Sequence, residues 1–302
     1  MMVENNAEIE MEKLVEEYEK QLELMKKQYG QEEDLYPWIY MLLLKSGKIN
    51  DLSMRQVAGA PWANCVRGRE MLRGYAGFPD IAILDKDFCA INVSKSIKYK
   101  IEDIKEWISL FDKENNDIPK KINSNKDTKD FLREYWYMYN IDKIRGCIEV
   151  KVVGDYLINI KPGKSTLVIE STPKGSYIFN VGGENCISSS EKGIKFEDLV
   201  QLFGELLWYG NVLYTNGKEW RYLQVTKCNK DKEISNIVDL RKILYGSYVK
   251  IHYPKEKWYK QISQMQNDGL NIEIKCEIKS DKEDLALWIK EKVNFEVLRD
   301  EY

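Results

Sequence analysis

The fold is decided by two short stretches, GFPDIAIL at residues 77–84 and CIEVKVV at residues 147–153. Both contain apolar runs of strand length bounded by polar or turn-forming residues. Side chains alternate between the two faces of a strand, so Glu149 and Lys151 project from the same face. If the strand that follows Asp80 lies next to this one, it brings a second carboxylate beside Glu149.

Two carboxylates and one backbone carbonyl make a suitable magnesium site, because Mg²⁺ prefers oxygen ligands and keeps several of its waters. Such a metal polarises a phosphate oxygen and lowers the pKa of a bound water. The ammonium group of Lys151 either orients the attacking water or offsets charge that develops on the phosphate. The sequence therefore predicts phosphodiester hydrolysis, with Asp80, Glu149 and the carbonyl of Val150 as metal ligands.

The single histidine, His252, removes several classes of enzyme. It excludes HExxH metalloproteases, multi-histidine metal sites and histidine-rich nuclease motifs. The six cysteines are scattered without a CxxC pair, so their spacing predicts neither a zinc site nor a disulfide framework. An enzyme built from this chain relies mainly on carboxylates, lysines or a metal held by oxygen ligands.

The composition bounds the size of the core and the partners. The 302 residues, 43% hydrophobic and 31% charged, suit one large domain with attachments or two smaller domains. A net charge of −3 is not typical of a nucleic-acid binder, but local basic patches still follow a phosphate backbone. No apolar run approaches the roughly 20 residues that cross a bilayer, and the acidic N-terminus lacks signal-peptide features. We expect a cytoplasmic protein without a membrane partner.

The chain divides into three parts. Residues 1–30 form a helical arm, because apolar residues recur at helical spacing over residues 8–29. This helix either packs on the body of the chain or pairs with a second copy in a homodimer. Residues 31–226 form the core, with a charged inserted region at about 95–145, and residues 227–302 read as an α+β extension.

The core is predicted to contain helices over residues 31–47 and 196–209, strands at 81–84, 147–153, 156–160 and 167–170, and a hairpin over 211–225 around Asn216-Gly217. Three arginines, Arg67, Arg69 and Arg73, precede Asp80 in a loop-like stretch. Arginine suits phosphate through its planar fork of donors, so we expect these three to bind the nucleic-acid backbone. Ordinary surface ion pairing is the alternative.

The pattern Pro79-Asp80 followed by Glu149-x-Lys151 resembles the PD-(D/E)xK motif that many restriction enzymes and recombination nucleases share. Two other ExK triplets occur, at residues 273–275 and 277–279. They lie in a clean apolar/charged alternation that predicts a half-exposed strand, and no stretch similar to GxPD precedes them at suitable range. We assign both triplets to structure.

Three further features strengthen the resemblance. The spacing Gly77-x-x-Asp80 is similar to the GxxD form of RecB-like nucleases. Gln201 lies where that group has its QxxxY motif, although Glu205 stands in place of the tyrosine. The hairpin at residues 212–223 is similar to the one that follows the nuclease motifs in type I restriction subunits. The resemblance spans roughly residues 31–226.

The resemblance implies an α/β, restriction-endonuclease-like fold, in which helices flank a central mixed sheet. It implies a Mg²⁺-dependent endonuclease acting on DNA, with Mn²⁺ as a substitute metal, and catalytic roles for Asp80, Glu149, Lys151 and Gln201. Family members often carry a glutamate in the first core helix that reaches the metal through water. We select Glu33 for this role, although acids in a first helical turn also suit the helix dipole.

The biological setting and the substrate leave alternatives open. A role in restriction or phage defence follows from the resemblance by analogy. An RNA-cleaving member of the superfamily is the nearest variant. A catalytically silent nuclease-fold protein, acting as a nucleic-acid-binding or scaffold module, is the second hypothesis, and the intact Asp/Glu/Lys set argues against it.

Overall fold

A computed structural model describes residues 2–57, 72, 74–75, 77–88, 140–186, 194–250 and 258–295. Within these ranges nine strands form one mixed sheet and six helices flank it, which confirms the predicted α/β class. The predicted insertion at 95–145 lies outside the described residues except for its last six positions. Arg67, Arg69 and Arg73 also lie outside them.

The sheet contains β1 Leu52–Gln56, β2 Ile81–Asp85, β3 Ile144–Val150, β4 Gly163–Ser171, β5 Tyr177–Val181, β6 Glu184–Asn185, β7 Asn211–Thr215, β8 Trp220–Asn229 and β9 Asn271–Ile278. Their spatial order is β1-β2-β3-β7-β8-β9-β4-β5-β6. The β3–β7 pair is parallel, and the other pairs between these strands are antiparallel. The predicted hairpin is confirmed as β7 and β8.

The described helices are α1 Met2–Gln28, α2 Tyr36–Lys45, α3 Phe196–Tyr209, α4 Ile237–Lys250, α5 Trp258–Asn267 and α6 Leu285–Lys292. The segment predicted as one helix over 31–47 is divided into a 3-10 turn, Glu32–Leu35, and α2, with a proline in the first turn of α2. The α3 bounds match the prediction. Among the described residues no helix is long and apolar enough to span a membrane.

Two apolar clusters cover the two faces of the sheet. Side chains of α1, α2 and α6 form one cluster, with Ile148 and Val150 of β3. Side chains of α3, α4 and α5 form the other, with Cys147 of β3. Because strand side chains alternate between faces, Glu149 points to the same side as Cys147, towards α3.

The N-terminal helix uses its apolar face within its own chain. Met11, Val15, Tyr18 and Leu22 are buried against the cluster that holds α2 and α6. The Tyr18 hydroxyl donates a 2.7 Å hydrogen bond to the carbonyl of Gly217, in the β7–β8 turn. The helix therefore packs on the body, and it begins at Met2 rather than at residue 8. The homodimer stays a prediction.

The strand predicted at residues 156–160 is wrong. These residues form no strand, yet Leu157, Ile158 and Ile160 are buried. The Cys276 thiol of β9 donates to the carbonyl of Ile160 at 4.0 Å, and the buried residues of the segment belong to the apolar cluster on that face, so the segment packs against the sheet without pairing. Its apolar residues are buried by covering the sheet, which an apolar pattern alone does not distinguish from pairing.

The C-terminal segment supplies an internal strand of the sheet. The alternating stretch Asn271–Ile278 is β9, and its buried and partly buried positions alternate as predicted. However, β9 lies between β8 and β4, and both neighbours are antiparallel to it. Residues of the predicted extension therefore complete the sheet of the core.

Candidate active site

The two halves of the motif meet at Asp80. The residue lies in a bend immediately before β2, where its carbonyl accepts a 2.8 Å hydrogen bond from the Val57 amide. The residue is 7% exposed. Oδ2 accepts a 2.7 Å bond from the Val150 amide, 70 residues along the chain, and Oδ1 accepts a 2.7 Å bond from the Tyr36 hydroxyl. Asp80 is thereby fixed beside the residue that follows Glu149.

Glu149 and Lys151 interact directly, as the alternation of strand side chains predicts. Lys151 Nζ lies 2.7 Å from Glu149 Oε1. β3 ends at Val150, earlier than predicted. The Lys151 amide nevertheless donates a 2.8 Å hydrogen bond to the carbonyl of Thr215 in β7. This bond continues the parallel pairing by one residue, so Lys151 keeps the side-chain direction of Glu149.

Helix α3 adds Gln201 to the site. Its Nε2 atom donates a 2.8 Å hydrogen bond to Glu149 Oε1, the oxygen that Lys151 also contacts. The structure therefore brings together Asp80, Glu149, Lys151 and Gln201.

Glu205 is a residue of the site that sequence reasoning noticed only as a departure from the QxxxY pattern. It lies one turn after Gln201, is 0% exposed, and its Oε1 accepts a 3.2 Å bond from Gln201 Nε2. The signal in the sequence was an acid inside the apolar run of α3, since glutamate is almost never fully buried without a partner.

Burial dominates the electrostatics of the three acids. Burial, followed by the negative charge of Asp80, raises the pKa of Glu149 to about 8, against the opposing effect of Lys151. Burial also raises the pKa of Asp80, although bonds from Val150 and Tyr36 act against it. Burial and the charge of Glu149 raise the pKa of Glu205 well above its ordinary value. The three acids therefore do not readily ionise at the same time. A bound cation would stabilise their ionised forms.

Two carboxylate oxygens of the site are unsatisfied. Glu149 Oε2 and Glu205 Oε2 are buried and have no hydrogen-bond partner among the described residues. Because Lys151 and Gln201 both occupy Glu149 Oε1, Oε2 is the atom of Glu149 that remains available to a ligand. In the described ranges no group of three or more His, Cys, Asp or Glu is arranged to hold a metal ion. The predicted set needs only two carboxylates and a carbonyl, with water as the remaining ligands.

Two acids of the 3-10 turn lie near the site. Glu32 is partly buried, and burial followed by the charge of Asp80 raises its pKa. Glu33 is exposed, although its charge also helps to raise the pKa of Asp80. Glu32 additionally helps to raise the pKa of Glu149. The role given to Glu33 stays a prediction, and Glu32 is a second candidate for it.

The other ExK triplets have ordinary surface surroundings. Lys275 Nζ pairs with Glu277 Oε1 at 2.6 Å, and the two side chains are 41% and 24% exposed. Glu273 accepts a 2.8 Å bond from the Thr226 hydroxyl, and this bond is the main reason that its pKa is lowered. The pKa of Glu273 is thus lowered, whereas the pKa of Glu149 is raised. The surroundings of these strand residues therefore differ from the buried acid cluster of the candidate site.

Comparison of the chain with known family models, curated proteins and solved structures gives no match. The resemblance to a nuclease motif therefore rests on these residues and their geometry alone. The contact role predicted for Arg67, Arg69 and Arg73 stays a prediction, because those residues lie outside the described part of the chain.

Proposed function

We propose that this chain is a Mg²⁺-dependent endonuclease with a restriction-endonuclease-like core that hydrolyses phosphodiester bonds of DNA. The observation that carries the proposal is the 2.7 Å bond from the Val150 amide to Asp80 Oδ2. It joins the Pro79-Asp80 half of the motif to the Glu149-x-Lys151 half across the β2–β3 pair. A chance ExK triplet would have no reason to adjoin a buried aspartate.

The metal would be held by Asp80, by Oε2 of Glu149 and by the carbonyl of Val150. Bound Mg²⁺ would stabilise negative charge on the scissile phosphate and make a neighbouring water more acidic. The oxygen ligands are hard donors, and the unpartnered, buried Glu149 Oε2 is the atom best suited to meet a cation.

Lys151 acts as an ammonium ion. Burial lowers the pKa of Lys151, but the charge and hydrogen bond of Glu149 raise it by more, and the net shift is upward. In this ammonium form Lys151 has no lone pair and does not serve as the general base. It instead donates hydrogen bonds to the attacking water or to the phosphate, where charge accumulates in the transition state.

A role in restriction or phage defence belongs to the same proposal. Its support is the similarity of the motif residues to those of restriction enzymes, so it is an analogy at the level of the family. The chemistry proposed for the site does not depend on it.

Incubation of the full chain with supercoiled plasmid, linear duplex DNA and RNA tests the proposal. Each substrate is incubated with Mg²⁺, with Mn²⁺ and with EDTA, and Glu149→Gln is the matched control. We expect DNA to be cleaved with either metal, and neither EDTA nor the variant to support cleavage. Cleavage of RNA but not of DNA would show that the substrate is RNA. Binding without cleavage under every condition would favour the nucleic-acid-binding or scaffold alternative.

A further inference from the structure

The side-chain amide nitrogen of Gln201 contacts two buried acids of the site. Gln201 Nε2 lies 2.8 Å from Glu149 Oε1 and 3.2 Å from Glu205 Oε1. The amide nitrogen carries two hydrogens, and each carboxylate oxygen accepts one of them. The orientation of the amide is therefore determined from both ends, with its nitrogen towards the acids and its oxygen turned away.

Glu149 and Glu205 select this orientation together, since each presents an acceptor oxygen to the amide nitrogen. An amide turned by half a rotation would place its oxygen against Glu149 Oε1, where two acceptors repel each other. As long as the oxygen that faces the amide from position 205 is an acceptor, as Glu205 Oε1 is here, the turned amide would lose both hydrogen bonds. With a group at 205 that donates a hydrogen bond, the turned amide would gain a partner there and compete with the observed one.

We propose that Glu205 is a positioning residue that fixes the Gln201 amide, which in turn orients Glu149 so that its Oε2 atom meets the cation. The inference rests on the proposed function, because it concerns the metal site of that function. Lys151 and Gln201 hold Glu149 Oε1 from two directions, and loss of one donor lets the carboxylate rotate. Outer partners of this kind typically contribute 10–100-fold to metal affinity, as an order of magnitude.

The location of Glu205 argues against a role in stability. The side chain is fully buried on an apolar helix. Leu202, one turn earlier, and Leu206, the next residue, are also buried. Its Oε2 has no hydrogen-bond partner in the described part of the chain. Burying a carboxyl group with an unsatisfied oxygen is costly, and an apolar side chain would avoid that cost. A purely structural residue at this position has no need of a carboxylate.

Calorimetric titration of the DNA-free, full-length chain with Mn²⁺ tests the inference, with wild type, Glu205→Gln, Gln201→Leu and the double variant compared. Glu197→Gln, an exposed acid at the start of the same helix, is the control for a lost charge. We expect Glu205→Gln and Gln201→Leu each to weaken Mn²⁺ binding by about 10-fold. The double variant should be no weaker than Gln201→Leu, because Glu205 acts through that amide, and Glu197→Gln should bind as the wild type does.

Cleavage kinetics provide a second readout that a loss of folding would not mimic. For Glu205→Gln the Mg²⁺ concentration for half-maximal cleavage should rise by about 10-fold, while the rate at saturating Mg²⁺ should recover to within a few-fold of the wild-type rate. A reduced rate that excess Mg²⁺ does not restore would contradict the positioning role.

The outcomes separate this inference from the function on which it rests. Wild-type protein that neither binds Mn²⁺ nor cleaves DNA overturns both. Wild-type protein that binds and cleaves, with Glu205→Gln unchanged in Mn²⁺ affinity, overturns the positioning role alone. If Glu205→Gln does not fold, Gln201→Leu carries the test, since unchanged affinity in that variant removes the amide from the metal site.

Discussion

Asp80 is both a proposed metal ligand and the acceptor of two buried donors, the Val150 amide and the Tyr36 hydroxyl. Relief of repulsion between acids would by itself leave Asp80→Ala as stable as the wild type or more so. The alanine also leaves both donors without an acceptor, and each unsatisfied buried group costs about 1–3 kcal/mol. We expect Asp80→Ala to abolish cleavage and to lower the free energy of unfolding by about 2–6 kcal/mol, less the part that relief of repulsion offsets. Urea denaturation measures the second effect, and an unchanged midpoint would contradict it.

Glu149 makes the stability of the metal-free protein depend on pH. Burial, followed by the charge of Asp80, raises its pKa from 4.5 to about 8. A raised pKa favours the folded state below pH 4.5, and this contribution is lost as the pH rises towards about 8. We therefore expect Glu149→Gln to gain melting temperature relative to wild type across this interval. Each 1 kcal/mol corresponds to about 2–4 °C in a domain of this size.

Melting curves in EDTA from pH 4.5 to 8 measure this difference, and Mg²⁺ should reduce it because a cation favours the ionised acid. A difference between wild type and Glu149→Gln that stays constant over the interval would show that Glu149 is not the group that titrates.

The hairpin turn between β7 and β8 joins the sheet to α1. Gly217 has a φ of +86°, and a Cβ there would lie 2.7 Å from Leu22 Cδ2. Gly175 has a similar φ of +78° but no atom within 4 Å of the corresponding position. Both alanine variants share the backbone strain, so their difference isolates the contact with α1. We expect Gly217→Ala to cost about 1–3 kcal/mol more than Gly175→Ala, and equal losses in chemical denaturation would contradict this packing.

Elements with local signals were predictable from the sequence. The helix α3 is amphipathic and ends at Tyr209, before Gly210, which has a φ of +78°. The alternation of strand side chains placed Glu149 and Lys151 on one face. The position of β9 was not predictable, because the alternating pattern specifies a strand but not its neighbours. Burial of residues 156–160 without pairing depends on the same long-range packing. Glu205 was missed as a site residue because it was treated only as a departure from the tyrosine of the QxxxY motif, and not as a buried acid.

At the scale of the whole molecule, the C-terminal segment is part of the core. β9 pairs with both β8 and β4, so its removal would expose two strand edges and the apolar residues that face it. We expect a chain ending at residue 230 to lose the cooperative unfolding transition. Cooperative melting of that truncated chain would show instead that the core folds without the C-terminal segment.

The central claim is that the buried ExK triplet, and not a surface one, performs the chemistry. Lys151 and Lys275 form a matched pair, since each contacts a glutamate two residues away, at 2.7 Å and 2.6 Å. The most direct measurement is the rate of plasmid cleavage at saturating Mg²⁺ by Lys151→Ala and Lys275→Ala. The account predicts a loss of at least about 100-fold for Lys151→Ala and a rate within a few-fold of wild type for Lys275→Ala. Equal rates in the two variants, or the reverse order, would contradict it.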